Sequence, residues 1–60
     1  MSKGHADHRV VIRDENGRII KDTPAENFSL ALPIYEAELE SLAPAHSVAL
    51  QHGARIIRQS

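Results

Sequence analysis

The sequence predicts a small α+β domain in which an N-terminal β-hairpin is followed by two short helices. Two observations carry this prediction. The β-branched runs Arg9–Arg13 and Arg18–Lys21 flank Asp14–Gly17, and an Asn-Gly pair between two such runs is a strong hairpin signal. From Pro33 onward, the apolar residues instead recur with the spacing of a helix.

The turn of the hairpin is predicted to be a three-residue loop. Asp14 suits the first position of a type I turn, and Gly17 can take the left-handed conformation that follows it. Such a loop places Asp14 opposite Arg18 and Ile12 opposite Ile20, which are favourable cross-strand pairs. Loops of two or four residues give poorer pairs, so we expect this register.

The second face of the hairpin is predicted to meet a partner. It carries Val11 and Ile19 among the cations Arg9, Arg13 and Lys21. A two-stranded ribbon is only marginally stable in water by itself. Because both faces carry apolar residues, we expect both to be at least partly covered.

The segment that follows the hairpin admits two interpretations. Thr23 could cap a helix that begins at Pro24, with Glu26 closing a capping box. Phe28-Ser29-Leu30-Ala31-Leu32 also alternates, which is typical of a third strand at 27–32. Five or six residues cannot decide between the two by periodicity; we favour the strand, and Pro33 ends either element.

The C-terminal half is predicted to form two helices. Tyr35, Leu39 and Leu42 recur at i, i+4 and i+7, and glutamates occupy the remaining surface. Residues 45–59 group their polar side chains on one side of a helical wheel, which favours a second helix. The alternative for 46–58 is a second hairpin turned at Gly53.

Length and composition indicate a domain whose own core gives it little stability. The chain has 60 residues, and a single core of that size seldom supplies more than about 3–5 kcal/mol. It contains no cysteine, which excludes disulfides and points to a cytoplasmic protein. We expect residues 1–8 to be a flexible tail and 9–60 to be one domain. We expect a second copy of the chain to provide the additional stabilisation. No stretch is apolar enough to predict a membrane span.

The charges are segregated along the chain. Residues 1–22 carry a net charge of +1, residues 23–43 carry four glutamates and no cation, and residues 44–60 carry two arginines. A basic ribbon can read DNA in the major groove, particularly in a dimer. The residues that would contact nucleic acid are Arg9, Arg13, Arg18 and Lys21. Acidic residues lie between these cations, and no aromatic side chains are placed to stack on bases. DNA binding is therefore the second hypothesis, after protein binding.

No group of residues predicts catalysis or a cofactor. His5 and His8, with Asp7 between them, have a spacing that suits a weak metal site only if the tail is helical. His46 and His52 are six residues apart, so they cannot share a metal ion on a helix. We therefore predict no enzyme activity, no cofactor and no metal, and leave open whether the histidines bind metal.

The sequence is most consistent with a small regulatory or inhibitory protein that binds another protein, as a homodimer, of the accessory kind encoded by phages and plasmids. The alternative is a dimeric DNA-binding transcriptional regulator that uses the basic hairpin. The residues expected at the protein interface are Val11, Ile19, Glu36, Glu40, Leu50 and Ile57.

Overall fold

A computed structural model describes residues 7–60, in which one helix packs on a four-stranded antiparallel sheet. In chain order the elements are β1 (His8–Arg13), β2 (Ile19–Ala25), α1 (Phe28–Glu40), β3 (Ser47–His52) and β4 (Arg55–Gln59). The strands lie in the order β2-β1-β3-β4, so β1 and β3 are central. The predicted tail lies mostly outside the described residues.

The first hairpin is confirmed at Asp14–Gly17. The Gly17 N–H donates to the Asp14 carbonyl at 3.0 Å, and the Asp14 N–H donates to the Arg18 carbonyl at 2.9 Å. The Asp14 carboxylate also accepts from the backbone N–H groups of Asn16 and Arg18. Gly17 has φ of +81°, the left-handed conformation that was expected of it. The three-residue loop is therefore present as predicted.

The register beyond the loop differs from the prediction. Arg13 pairs with Ile19, and Ile12 pairs with Lys21 rather than with Ile20. A bulge at Ile20 absorbs one residue and moves every later side chain of β2 to the other face. Lys21 consequently lies on the helix side of the sheet, where it forms an ion pair with Glu38 of α1.

The third strand favoured for 27–32 is wrong: this segment is helical, as the alternative had it, but the helix does not begin near Thr23. β2 continues through Thr23 to Ala25, and α1 begins at Phe28. Asn27 is the N-cap, and its side-chain oxygen accepts from the Leu30 N–H at 2.9 Å. The alternation over 28–32 does not follow burial in the helix, because Leu30 is exposed and Ala31 is buried. Pro33 lies inside α1 and does not end it.

We expect Asn27→Ala to lower the free energy of unfolding by about 1 kcal/mol, because it removes the acceptor for an N–H of the first helical turn. Urea denaturation followed by circular dichroism measures this change. Asn27→Asp keeps the acceptor and serves as the control. A loss of equal size in both variants would contradict the capping role.

The second helix predicted over 45–59 is also wrong, because this segment forms the hairpin β3–β4. Gly53 turns it with φ of +61°, a conformation that side chains other than glycine rarely adopt. Val48 and Leu50 are buried, and Ala49 between them points to the opposite face. β3 pairs along the whole length of β1, which gives that strand a second neighbour.

The core lies between α1 and one face of the sheet. Its largest fully buried side chains are Val10, Val48 and Leu50, from the two central strands. Ala31 and Tyr35, one helical turn apart, contribute the helix side. The helix packs on β1, β2 and β3. Residues 7–60 contain no helix that is long and apolar enough to cross a membrane.

Candidate protein-binding surface

The helix α1 carries apolar residues on the side that faces away from the sheet. Leu30, Pro33, Ile34 and Ala37 have the spacing i, i+3, i+4, i+7 and therefore share one side, which we call the outer face of α1. Leu30 is 50% exposed, Pro33 and Ala37 are exposed, and Ile34 is half-buried at the margin of the core. These side chains form an apolar stripe more than two turns long.

The first two turns of α1 are apolar on nearly every side. Between Phe28 and Tyr35, Ser29 is the one polar residue. A helix on the surface of a globular protein normally has a polar outer side, whereas one that is apolar all round is covered on both sides. The sheet covers one side of α1. The outer face is therefore a surface suited to contact with another protein.

The charges of α1 lie at its C-terminal end. Glu36 and Glu40 are exposed on one flank of the outer face, and Glu38 on the opposite flank pairs with Lys21. The first turn contains no acid and the last turn contains no base. This arrangement opposes the helix dipole, which favours acids at the N-terminus and cations at the C-terminus. The isolated domain therefore does not fully compensate the charges of its helix.

The other residues predicted at the interface fall in different places. Leu50 is fully buried in the core, and Ile57 is half-buried against it. Val11 lies on the sheet face opposite the helix, yet it is only 3% exposed. Ile19, at the start of the edge strand β2, is 51% exposed. Of the predicted set, Ile19, Glu36 and Glu40 are thus accessible.

The four cations of the predicted nucleic-acid surface do not form a common patch. Arg9 forms an ion pair with Asp22 at 3.2 Å on the sheet face away from the helix. Lys21 lies on the helix side in its pair with Glu38. The Arg13 guanidinium donates to the Gly17 carbonyl at 2.9 Å. Arg18, at the base of the loop, is exposed.

Two histidines meet across the central strands, an arrangement that the sequence did not indicate. His8 pairs with His52 in the β1–β3 register, and their rings are stacked with centroids 4.3 Å apart and planes 2° apart. His8 also packs edge-on against Phe28 at 6.4 Å. Because imidazole binds a metal in the plane of its ring, two rings held in this stack cannot share one ion.

The remaining metal candidates are also separated. His5 lies outside the described residues, and His46 lies in the turn before β3, away from the pair. Within residues 7–60, no three histidine or carboxylate side chains are close enough to hold a metal ion together. The stacked pair packs against Phe28 at the edge of the core.

The outer face of α1 was missed because residues 27–32 were interpreted as a strand. The signal in the sequence is the run from Phe28 to Tyr35. It has too few polar residues for a helix with one side buried and the other in water, so it indicates a helix covered on both sides. A scan against protein-family models, a search of curated proteins and a search of solved structures each found no match.

Proposed function

We propose that this chain is a small non-enzymatic regulatory or inhibitory protein that acts by binding other protein chains, its own included. The observation that carries this proposal is the apolar outer face of α1, with Leu30 half exposed in a helix that has almost no polar side over its first two turns. Burial of such a surface is the main driving force of protein association.

The size of the domain supports the same conclusion. Within residues 7–60, the core between α1 and the sheet contains seven buried apolar residues, among which Tyr35 is the one aromatic side chain. A core of this kind lies at the lower limit for independent folding, and covering the outer face of α1 would add to it. The exposed Ile19 and Ile20, both 51% exposed at the start of β2, offer a second apolar contact for a target protein.

The alternative is a dimeric DNA-binding regulator that uses the basic hairpin. Ion pairs engage Arg9 and Lys21, and they lie on opposite faces of the sheet. Only the loop end, with Arg13 and Arg18, could then present cations together. Protein binding is for this reason the better supported function. Absence of binding to random duplex DNA at low salt would remove the alternative, because phosphate contacts are strongest there.

The variant Leu30→Glu tests the proposed function. Leu30 is the third residue of α1, where a glutamate suits the capped helix start, so we expect the fold to persist. The same substitution places a charge in the apolar stripe. In captures from a lysate of the native host, we expect proteins retained by the wild-type chain to be lost with this variant.

The matched control is Ile56→Glu. Ile56 is 50% exposed, like Leu30, but it lies on β4 opposite Gln51, on the sheet face away from α1. We expect this control to retain the same proteins as the wild type. If both variants and the wild type capture identical sets of proteins, the outer face of α1 is not the binding surface.

A further inference from the structure

We propose that the outer face of α1 takes a second copy of this chain, with the two helices packed antiparallel across a two-fold axis near Pro33 and Ile34. This inference rests on the proposed function and names the partner for that surface. Two observations support it: the order of the apolar side chains along the helix and the distribution of charge between its ends.

The apolar side chains of the outer face are self-complementary in an antiparallel pair. An axis between Pro33 and Ile34 places Leu30 opposite Ala37 of the partner subunit, and Ala37 opposite Leu30 of the partner subunit. The most exposed large side chain thus meets the smallest one, twice. Pro33 meets Ile34 of the partner subunit at the centre. Alternation of large and small residues is how facing helices interdigitate at close distance.

The charges at the two ends of α1 are complementary in the same arrangement. The N-terminal end carries the positive end of the helix dipole, and the charge of Arg58, whose guanidinium carbon lies 5.7 Å from the centre of the Phe28 ring, offsets that of Glu26 just before the cap. The C-terminal end carries the exposed Glu36 and Glu40. An antiparallel pair sets each acidic end beside the positive end of the other helix, whereas a parallel pair would set like ends together.

The length of α1 sets the strength of this contact. Its 13 residues span about 20 Å, and a single helix face of that length buries less than the roughly 800 Å² per partner of a standard interface. We therefore expect a reversible dimer that dissociates on dilution, rather than an obligate one. The domain must then fold before it associates, which makes monomer and dimer measurable in one sample.

Sedimentation equilibrium of the purified full chain, from micromolar to millimolar concentration, tests the proposal. The wild type and Ile56→Glu should fit one monomer–dimer equilibrium with the same dissociation constant. Leu30→Glu should raise that constant by about tenfold or more, since it removes the largest apolar contact on each side of the axis. Circular dichroism spectra should show that all three remain folded.

A second variant separates dimerisation from simple helix stability. Glu40→Lys places a cation at the C-terminus of α1, which suits the dipole of its own helix. At the lowest concentration we expect this variant to melt at a higher temperature than the wild type. Its dimer should nevertheless be weaker, because the lysine would face the positive end of the partner helix.

Each outcome decides the matter. A wild-type chain that stays monomeric at millimolar concentration overturns this inference, and so does a dimer that Leu30→Glu leaves unchanged. If the purified chain is monomeric while Leu30→Glu still abolishes capture of lysate proteins, the occupant is a different protein: the proposed function then stands and this inference fails. Loss of both effects rejects both.

Discussion

Replacement of Leu50 by alanine is expected to leave most of the protein unfolded at room temperature. Leu50 is fully buried on the central strand β3, between α1 and β1. Truncation of a buried leucine costs about 2–5 kcal/mol, the sum of lost transfer free energy and the cavity left behind. A single core of this size supplies only about 3–5 kcal/mol in total. Urea denaturation followed by circular dichroism measures the loss.

The control for this variant is Ile56→Ala, which removes a comparable aliphatic side chain from a position that is 50% exposed. We expect it to change the free energy of unfolding by well under half as much, because about half of its surface stays in contact with water and its truncation leaves no buried cavity. Similar losses in the two variants would mean that β3 does not supply the centre of the core.

Replacement of Pro33 by alanine is expected to stabilise the folded domain by as much as about 3 kcal/mol. Pro33 lies in the interior of α1, where it has no N–H to donate to the Ser29 carbonyl one turn earlier. Its ring also crowds that carbonyl. The side chain is exposed, so its removal opens no cavity in the core. Urea denaturation at the lowest practical concentration isolates this effect from self-association.

Pro24→Ala is the matched control for Pro33→Ala. Pro24 lies on the edge strand β2 and is exposed, and proline is tolerated at such positions because the strand has a side with no neighbour. We expect a change much smaller than that at Pro33. If Pro33→Ala instead lowers the free energy of unfolding, Pro33 does not destabilise α1.

The first hairpin could be predicted because its information is local. Asp14, Asn16 and Gly17 determine the turn through their own hydrogen bonds and backbone conformation. The register beyond it could not be predicted, because the bulge at Ile20 moves Lys21 towards Glu38, a residue seventeen positions later in the chain. Pairing rules within the hairpin contain no information about that contact.

The second hairpin was misjudged for a related reason. The polar residues of 45–59 group on one side of a helical wheel, but Val48 and Leu50 also alternate with Ala49. Residues 47–52 form the strand β3 because they pair with the second edge of β1, which has β2 on its first edge. Tertiary pairing of this kind overrides local preference, since an isolated two-stranded ribbon is marginal in water.

The candidate surface was predicted in part. Glu36 and Glu40 lie on the flank of the outer face, as the pattern of helical glutamates indicated. Leu30 and Pro33 were missed because a strand interpretation of 27–32 separates them from the glutamates that follow. With Asn27 as the N-cap and the helix beginning at Phe28, a helical wheel places Leu30 and Pro33 on one side of α1, beside the two glutamates.

The central claim, that the outer face of α1 binds protein chains and first of all a second copy, is tested most directly by a dilution series of methyl spectra recorded by nuclear magnetic resonance. We predict concentration-dependent shifts of the Leu30, Ile34 and Ala37 methyl groups, with Val11 and Ile56 unchanged on the opposite face of the sheet. Shifts confined to Val11 and Ile56, or none up to millimolar concentration, would contradict self-association through this face.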